Sequence, residues 1–120
     1  MTTYRFDAPG ALFFRPEGPL DAVGVLSCEG IIDDITGIAV DHVTIDLNDV
    51  SFMDPSGLGL LVELAKRMRM RGGEFGIRGV QGQPLRMLKR LNLMRPLNAR
   101  SAAEASPAAP VSTFALAQAA

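Results

Sequence analysis

Hydrophobic positions change their period along this chain, and the changes mark its elements. Near the start they come in short runs, Tyr4 to Asp7 and Leu12-Phe13-Phe14-Arg15, separated by Ala8-Pro9-Gly10. Pro-Gly is turn chemistry, so the pair predicts an N-terminal hairpin. Glu17-Gly18-Pro19 breaks the second run. Asp21 can then cap a helix carrying Val23, Leu26, Ile31, Ile32 and Ile35, weakened by Gly24 and Gly30 and ended by Gly37. Val43-Thr44-Ile45-Asp46-Leu47 is the clearest strand, short and β-branched. From Leu58 the period becomes helical: Leu58, Leu61, Val62, Ala65 and Met68 form one stripe until Gly72-Gly73. Glu63 and Arg67 stand i, i+4 in the favourable order. Phe75 to Val80 predicts a strand. Pro84 can sit in the first turn of a helix from Leu85 to Leu91, with Leu85, Leu88 and Leu91 inward and Arg86, Lys89 and Arg90 outward. Met94 to Leu97 reads as a last short strand that Pro96 confines to an edge or an end.

Alternating strands and helices imply right-handed crossovers between parallel strands. The fold class is therefore α/β: a small mixed, mostly parallel sheet with packed helices. Residues 1–100 make this domain. Residues 101–120 are Ala-rich with Pro107 and Pro110, a tail with room for one or two short helical turns and no apolar period to dock it.

Composition adds limits. At 120 residues and 48% hydrophobic, the chain suits one domain with a real core. Its formal net charge is −1, which gives no general attraction to nucleic acid. The charge is unevenly placed, acidic up to Asp54 and basic from Lys66 to Arg100. Two solvated faces explain this most simply; steering of a partner is the other reading. Cys28 is the only cysteine, so no intrachain disulfide and no Cys-x-x-Cys metal site can form. Met1 to Asp7 lacks the apolar core of a signal peptide, and no apolar run approaches membrane-spanning length, so a cytoplasmic location is expected.

The candidate chemistry lies in Phe52-Met53-Asp54-Pro55-Ser56-Gly57-Leu58. Asp54 is a strong N-cap residue and Pro55 is favoured just after it. Ser56 then falls in the first turn, where backbone N–H groups lack helical partners and negative charge is tolerated, so a phosphate could be accommodated there. Gly57 and Gly59 each cost about 1 kcal/mol of helix propensity relative to alanine, which suggests close approach by another group. An ordinary capped helix packed tightly on its sheet explains the same residues.

Catalytic readings are weaker. His42 is the sole histidine, Ser56 lacks an evident base, and no Gly-x-Ser-x-Gly elbow is present. Asp46, Asp49 and Asp54 would have to converge for acid–base or metal work, and capping or turn roles explain them more simply. No Gly-rich loop with a lysine would hold ATP. A non-enzymatic chain without cofactor or metal is expected.

The segments Val43 to Leu47 and Val50-Ser51-Phe52-Met53-Asp54-Pro55-Ser56-Gly57-Leu58-Gly59-Leu60-Leu61 resemble the signature of STAS domains, and among them bacterial anti-sigma factor antagonists. Gly18-Pro19-Leu20-Asp21 resembles the family's Gly-x-Leu-Asp turn; Gly72-Gly73-Glu74-Phe75 and Leu88 to Leu93 also fit, so that the likeness spans residues 4 to 100. The resemblance implies a regulator of transcription that binds a serine-kinase anti-sigma factor and frees a sigma factor. It implies that phosphorylation of Ser56 turns binding off and that a phosphoserine phosphatase restores it. The implied contact surface is Asp21, Asp54, Ser56, Gly57 and Leu58. Pro55 departs from the family's Asp-Ser-Ser-Gly motif, with consequences for kinase recognition and loop geometry. The Pro-containing tail also matches the family's C-terminal helix poorly. The alternative implied by the same resemblance is a STAS subunit of a lipid-transport complex or a stressosome-type scaffold. Retention of Ser56 favours the switch.

Overall fold

The computed structural model describes residues 2–26, 28 and 40–103. Strands β1 (Thr2–Ala8) and β2 (Ala11–Pro16) form the expected antiparallel hairpin, closed at Gly10 with φ +80°. A helical segment, α1 (residues 22–26), follows. Next come β3 (His42–Asp46), α2 (Pro55–Met70), β4 (Glu74–Val80), α3 (Gly82–Arg90) and β5 (Ala99–Ser101). The sheet order is β1-β2-β3-β4-β5, and every pairing after the hairpin is parallel.

Period-two alternation decides which side of the sheet is buried. Phe14, Ile45 and Ile77 stand in register across β2, β3 and β4 and belong to the core, as do Leu12 and Val43 in the row before them. The intervening row holds Phe13, Thr44 and Gly76. Phe13 is nonetheless buried, with the Arg78 guanidinium 5.5 Å from its ring centre. Leu60, Leu61, Leu64, Ala65 and Met68 of α2 and Leu88 of α3 complete the core.

The α2 stripe runs through Gly57, Leu60, Leu61, Leu64, Ala65 and Met68. Of the expected stripe, Leu61, Ala65 and Met68 are buried, whereas Leu58 and Val62 are half-buried at its border. Gly72, with φ +75°, ends the helix as expected.

Other expectations need correction. Val23 and Leu26 are exposed, at 71% and 67%, whereas Val25 packs against the core and Cys28 is buried. Both pairs are spaced i, i+3, so periodicity alone could not choose between the faces; the Asp21 cap and the buried Leu20 set the phase. The expected continuation through Ile31, Ile32 and Ile35 to Gly37 lies outside the described residues, as does the tail from residue 104. Leu91 is not inward: α3 ends at Arg90, Asn92 takes φ +58°, and Leu91 is 49% exposed. Met94 to Leu97 forms a turn, not a strand. Leu97 and Asn98 donate backbone bonds to the Leu93 and Arg95 carbonyls, and Asn98 takes φ +50°, a left-handed conformation asparagine tolerates. The strand starts only afterwards, at Ala99.

Candidate functional site

Both α1 and α2 start where two connecting segments run side by side. Leu20 N–H donates to the Phe52 carbonyl at 2.8 Å, and Asp54 N–H donates to the Leu20 carbonyl at 3.3 Å. Leu20 also forms an isolated parallel bridge with Met53. Leu20 and Met53 are almost fully buried and anchor the pair. Asp21 and Asp54, the two cap residues, are thereby placed next to this shared seam.

Each carboxylate caps its own helix. Asp21 Oδ1 accepts from Gly24 N–H at 2.9 Å. Asp54 Oδ1 accepts from Ser56 N–H at 2.8 Å and from Gly57 N–H at 3.1 Å, while the Asp54 carbonyl takes Leu58 N–H at 3.0 Å. Pro55 fills the first helical position and has no N–H to satisfy. Ser56 is exposed on this turn, as expected. The expectation that the first turn offers unclaimed N–H groups to a phosphate needs correction, because Asp54 already holds those of Ser56, Gly57 and Leu58. A phosphate on Ser56 would meet the helix dipole and solvent, with a carboxylate close by.

The two glycines beside Ser56 have different causes. Gly57 is buried, and a Cβ there would collide with the Leu20 carbonyl oxygen. Its close approach is internal, between α2 and the residue 18–21 segment, so Gly57 shapes the surface from beneath. Gly59 is exposed, with nothing within 4 Å of where its Cβ would be. Leu58 is half-buried against the core. Phe52, on the segment entering α2, is 46% exposed.

One residue in this site has no signal in the sequence. Gln83, in the first turn of α3, grips Met53 through both ends of its side-chain amide. Its Oε1 accepts from Met53 N–H at 2.8 Å, and its Nε2 donates to the Met53 carbonyl at 2.9 Å. A planar amide here copies the donor–acceptor pair a neighbouring strand would present. Gln81 adds a bond from Nε2 to the Asn48 carbonyl at 3.1 Å. The segment leading to Ser56 is thus held by Leu20 and by α3.

The three aspartates do not converge. Asp46 is buried, accepts from Asn48 N–H at 2.8 Å, and lies 3.8 Å from Arg78 Nε. Asp49 pairs with Arg15 at 2.8 Å, and Asp54 is committed to its cap. His42 opens β3, at the end of the strand away from the start of α2, and its Nε2 lies 2.9 Å from Glu74. No general base for Ser56 emerges from these positions. Among the described residues no group of three or more His, Cys, Asp or Glu could hold a metal ion. Among the same residues no helix is long and apolar enough to cross a membrane.

Solved structures share this architecture. A candidate anti-sigma factor antagonist from Thermotoga maritima superposes with a TM-score of 0.77 at 19% identity, covering 97% of this chain and 92% of that one. The phosphorylated form of the Bacillus cell fate determinant SpoIIAA gives 0.70 at 17% identity, with 100% of both chains covered. A sulfate transporter family protein from Wolinella succinogenes gives 0.66 at 18% identity and covers 80% of each. Identities this low speak for the fold. The sequence model of the STAS domain matches residues 7–104, which includes strands β2 to β5 and both capped segments at the seam. This chain belongs to the STAS domain family.

Proposed function

We propose that the chain is an anti-sigma factor antagonist: unmodified, it binds a serine-kinase anti-sigma factor, frees a sigma factor, and is switched off by phosphorylation of Ser56. The observation that carries this reading is the presentation of Ser56, exposed on a capped first turn whose approach segment is braced by Leu20 and Gln83. A hydroxyl held on a rigid turn suits transfer by an external enzyme, because the chain need not unfold to offer it. In the transfer, Ser56 Oγ forms a bond to the γ-phosphorus of ATP held by the kinase. The bond to the bridging oxygen breaks, ADP leaves, and the hydroxyl proton goes to a base of the kinase.

The surroundings fit a protein contact. Phe52, and Val23 and Leu26 on α1, are exposed apolar side chains on the elements that flank the seam. Such residues serve as anchors within polar rims. The phosphate adds about −1.5 to −2 charge at neutral pH beside Asp54. In the free protein that charge stays hydrated. In the complex it must be desolvated, and the first-turn N–H groups of Ser56, Gly57 and Leu58 are already held by Asp54. The switch therefore acts by loss of contact, with the fold unchanged. Dephosphorylation by a phosphatase restores the surface.

The test is incubation with the cognate anti-sigma kinase and ATP, phosphosite mapping by mass spectrometry, and binding titrations of both forms. Phosphate is expected on Ser56, with partner affinity lower by at least about tenfold, equivalent to 1.4 kcal/mol. Ser56→Ala should bind and resist modification; Ser56→Asp should fold and bind weakly. Phosphate found only elsewhere overturns the assignment, and equal affinities overturn the mechanism. A purely structural STAS subunit predicts no modification of Ser56 at all.

A further inference from the structure

A second surface stands apart from the Ser56 seam. Lys89 lies in the last turn of α3, Arg95 and Asn98 in the turn that follows, and Ala99 and Arg100 in β5. Together with Met94 they line an open groove of about 500 Å³. β5 is the outermost strand, so the groove runs along an edge of the sheet. Asn98 ties the turn down by donating from Nδ2 to the Phe75 carbonyl at 3.3 Å.

The lining is one-sided in charge. Lys89, Arg95 and Arg100 are all exposed, and among the described residues no acid lines the groove and none of the three makes a salt bridge. Between Lys66 and Arg100 the sequence holds ten of its twelve lysines and arginines and one acid, Glu74. Cations gathered at a concavity repel one another, and an anion entering there relieves all three at once. A merely solvated basic face would not need a concave meeting point.

The shape and lining select among anions. Among the described residues no aromatic side chain lines the groove to stack on a base. The chain's net charge of −1 opposes a polyanion long enough to overrun the groove onto the acidic half of the molecule. A bilayer presents its anionic headgroups as a broad plane that meets flat or protruding basic faces, whereas these cations line a concavity. An extended peptide suits it: carboxylates reach the cations on the walls, and aliphatic parts lie on Met94 and Ala99. We propose that this groove docks an acidic segment of a partner protein, independently of the surface around Ser56.

The experiment titrates the full chain into a fluorescein-labelled dodecapeptide of glutamate and alanine, read by anisotropy at about 20 mM and about 200 mM salt. A glutamine–alanine peptide, a short DNA duplex, GTP and vesicles containing phosphatidylserine are titrated in parallel. The acidic peptide should bind, weaken as salt rises, and lose about tenfold in the triple variant Lys89→Glu, Arg95→Glu, Arg100→Glu, since each exposed contact contributes modestly. Amide shift mapping on the unaltered chain should place the peptide at Met94 to Arg100, which keeps the test valid should the variant misfold. Unchanged affinity in a folded triple variant overturns the proposal. So do shifts confined to the Ser56 seam, the absence of peptide binding, and tighter binding of DNA, GTP or vesicles than of the peptide.

Discussion

Helices α2 and α3 start against the same segment of chain and are built in opposite ways. α2 is capped by a side chain: Asp54 satisfies two N–H groups with one oxygen, and Pro55 fixes the next residue. α3 has no side-chain cap at Gln81, and its first residue, Gly82, takes φ +62°. Its leading polar side chains are spent elsewhere, Gln81 on the Asn48 carbonyl and Gln83 on Met53. One helix start is self-contained and presents a serine; the other leaves its own start uncapped and braces its neighbour's approach. The precision of the Ser56 turn is therefore partly the work of a helix that contributes no residue to its surface.

The contrast can be attacked from the core outward. Leu61 is fully buried in the middle of α2, and Leu61→Ala should cost about 2–5 kcal/mol in urea unfolding. A cost below about 0.5 kcal/mol would mean that α2 is held by its start rather than by its face.

Gly57→Ala forces a methyl onto the Leu20 carbonyl. It should cost about 1–3 kcal/mol by overpacking and should part the seam, visible as lost amide protection at Asp54. Stability equal to that of the unaltered chain would remove the claim that the glycine serves helix-to-loop contact.

Gln83→Ala strips both partners from Met53 and should cost about 1–2 kcal/mol. Asp54→Ala, which removes the α2 cap, should cost about 0.5–2 kcal/mol. The two differ in kind: kinase turnover on Ser56 should fall in both, while helical content should fall only in the second. Equal loss of helix by circular dichroism would collapse the distinction between brace and cap.

The smallest expected effect has the opposite sign. Gly59 is exposed with open space around it, so Gly59→Ala should stabilise by about 0.5–1 kcal/mol. A parallel drop in partner affinity would show that the bare backbone at Gly59 is kept for contact, in contrast to Gly57.

The α2 start was readable in the sequence because its determinants are adjacent: a capping aspartate, a proline and the serine follow one another, and local backbone rules cover all three. The strands and their parallel order were readable for a related reason, since β-branched runs alternate with helical periods. Gln83 was not readable. It acts across thirty residues, and a glutamine beside a proline carries no sign of the distant peptide it will grip. The faces of α1 were ambiguous because Val23 with Leu26 and Val25 with Cys28 share one spacing. β5 was displaced because the apolar character of Met94 to Leu97 resembles a strand. The left-handed turns at Asn92 and Asn98, which redirect the chain, depend on tertiary contacts such as the bond from Asn98 to Phe75.

The grip of Gln83 on Met53 gives one backbone amide an unusual dependence. An amide inside a sheet is shielded by a ladder, and exchanging its hydrogen requires several neighbouring bonds to open together. The Met53 hydrogen is guarded by a single rotatable side chain rooted in α3. Its exchange with deuterium follows how often that side chain swings away, so this one position is a natural clock for the separation of α3 from the segment that leads to Ser56.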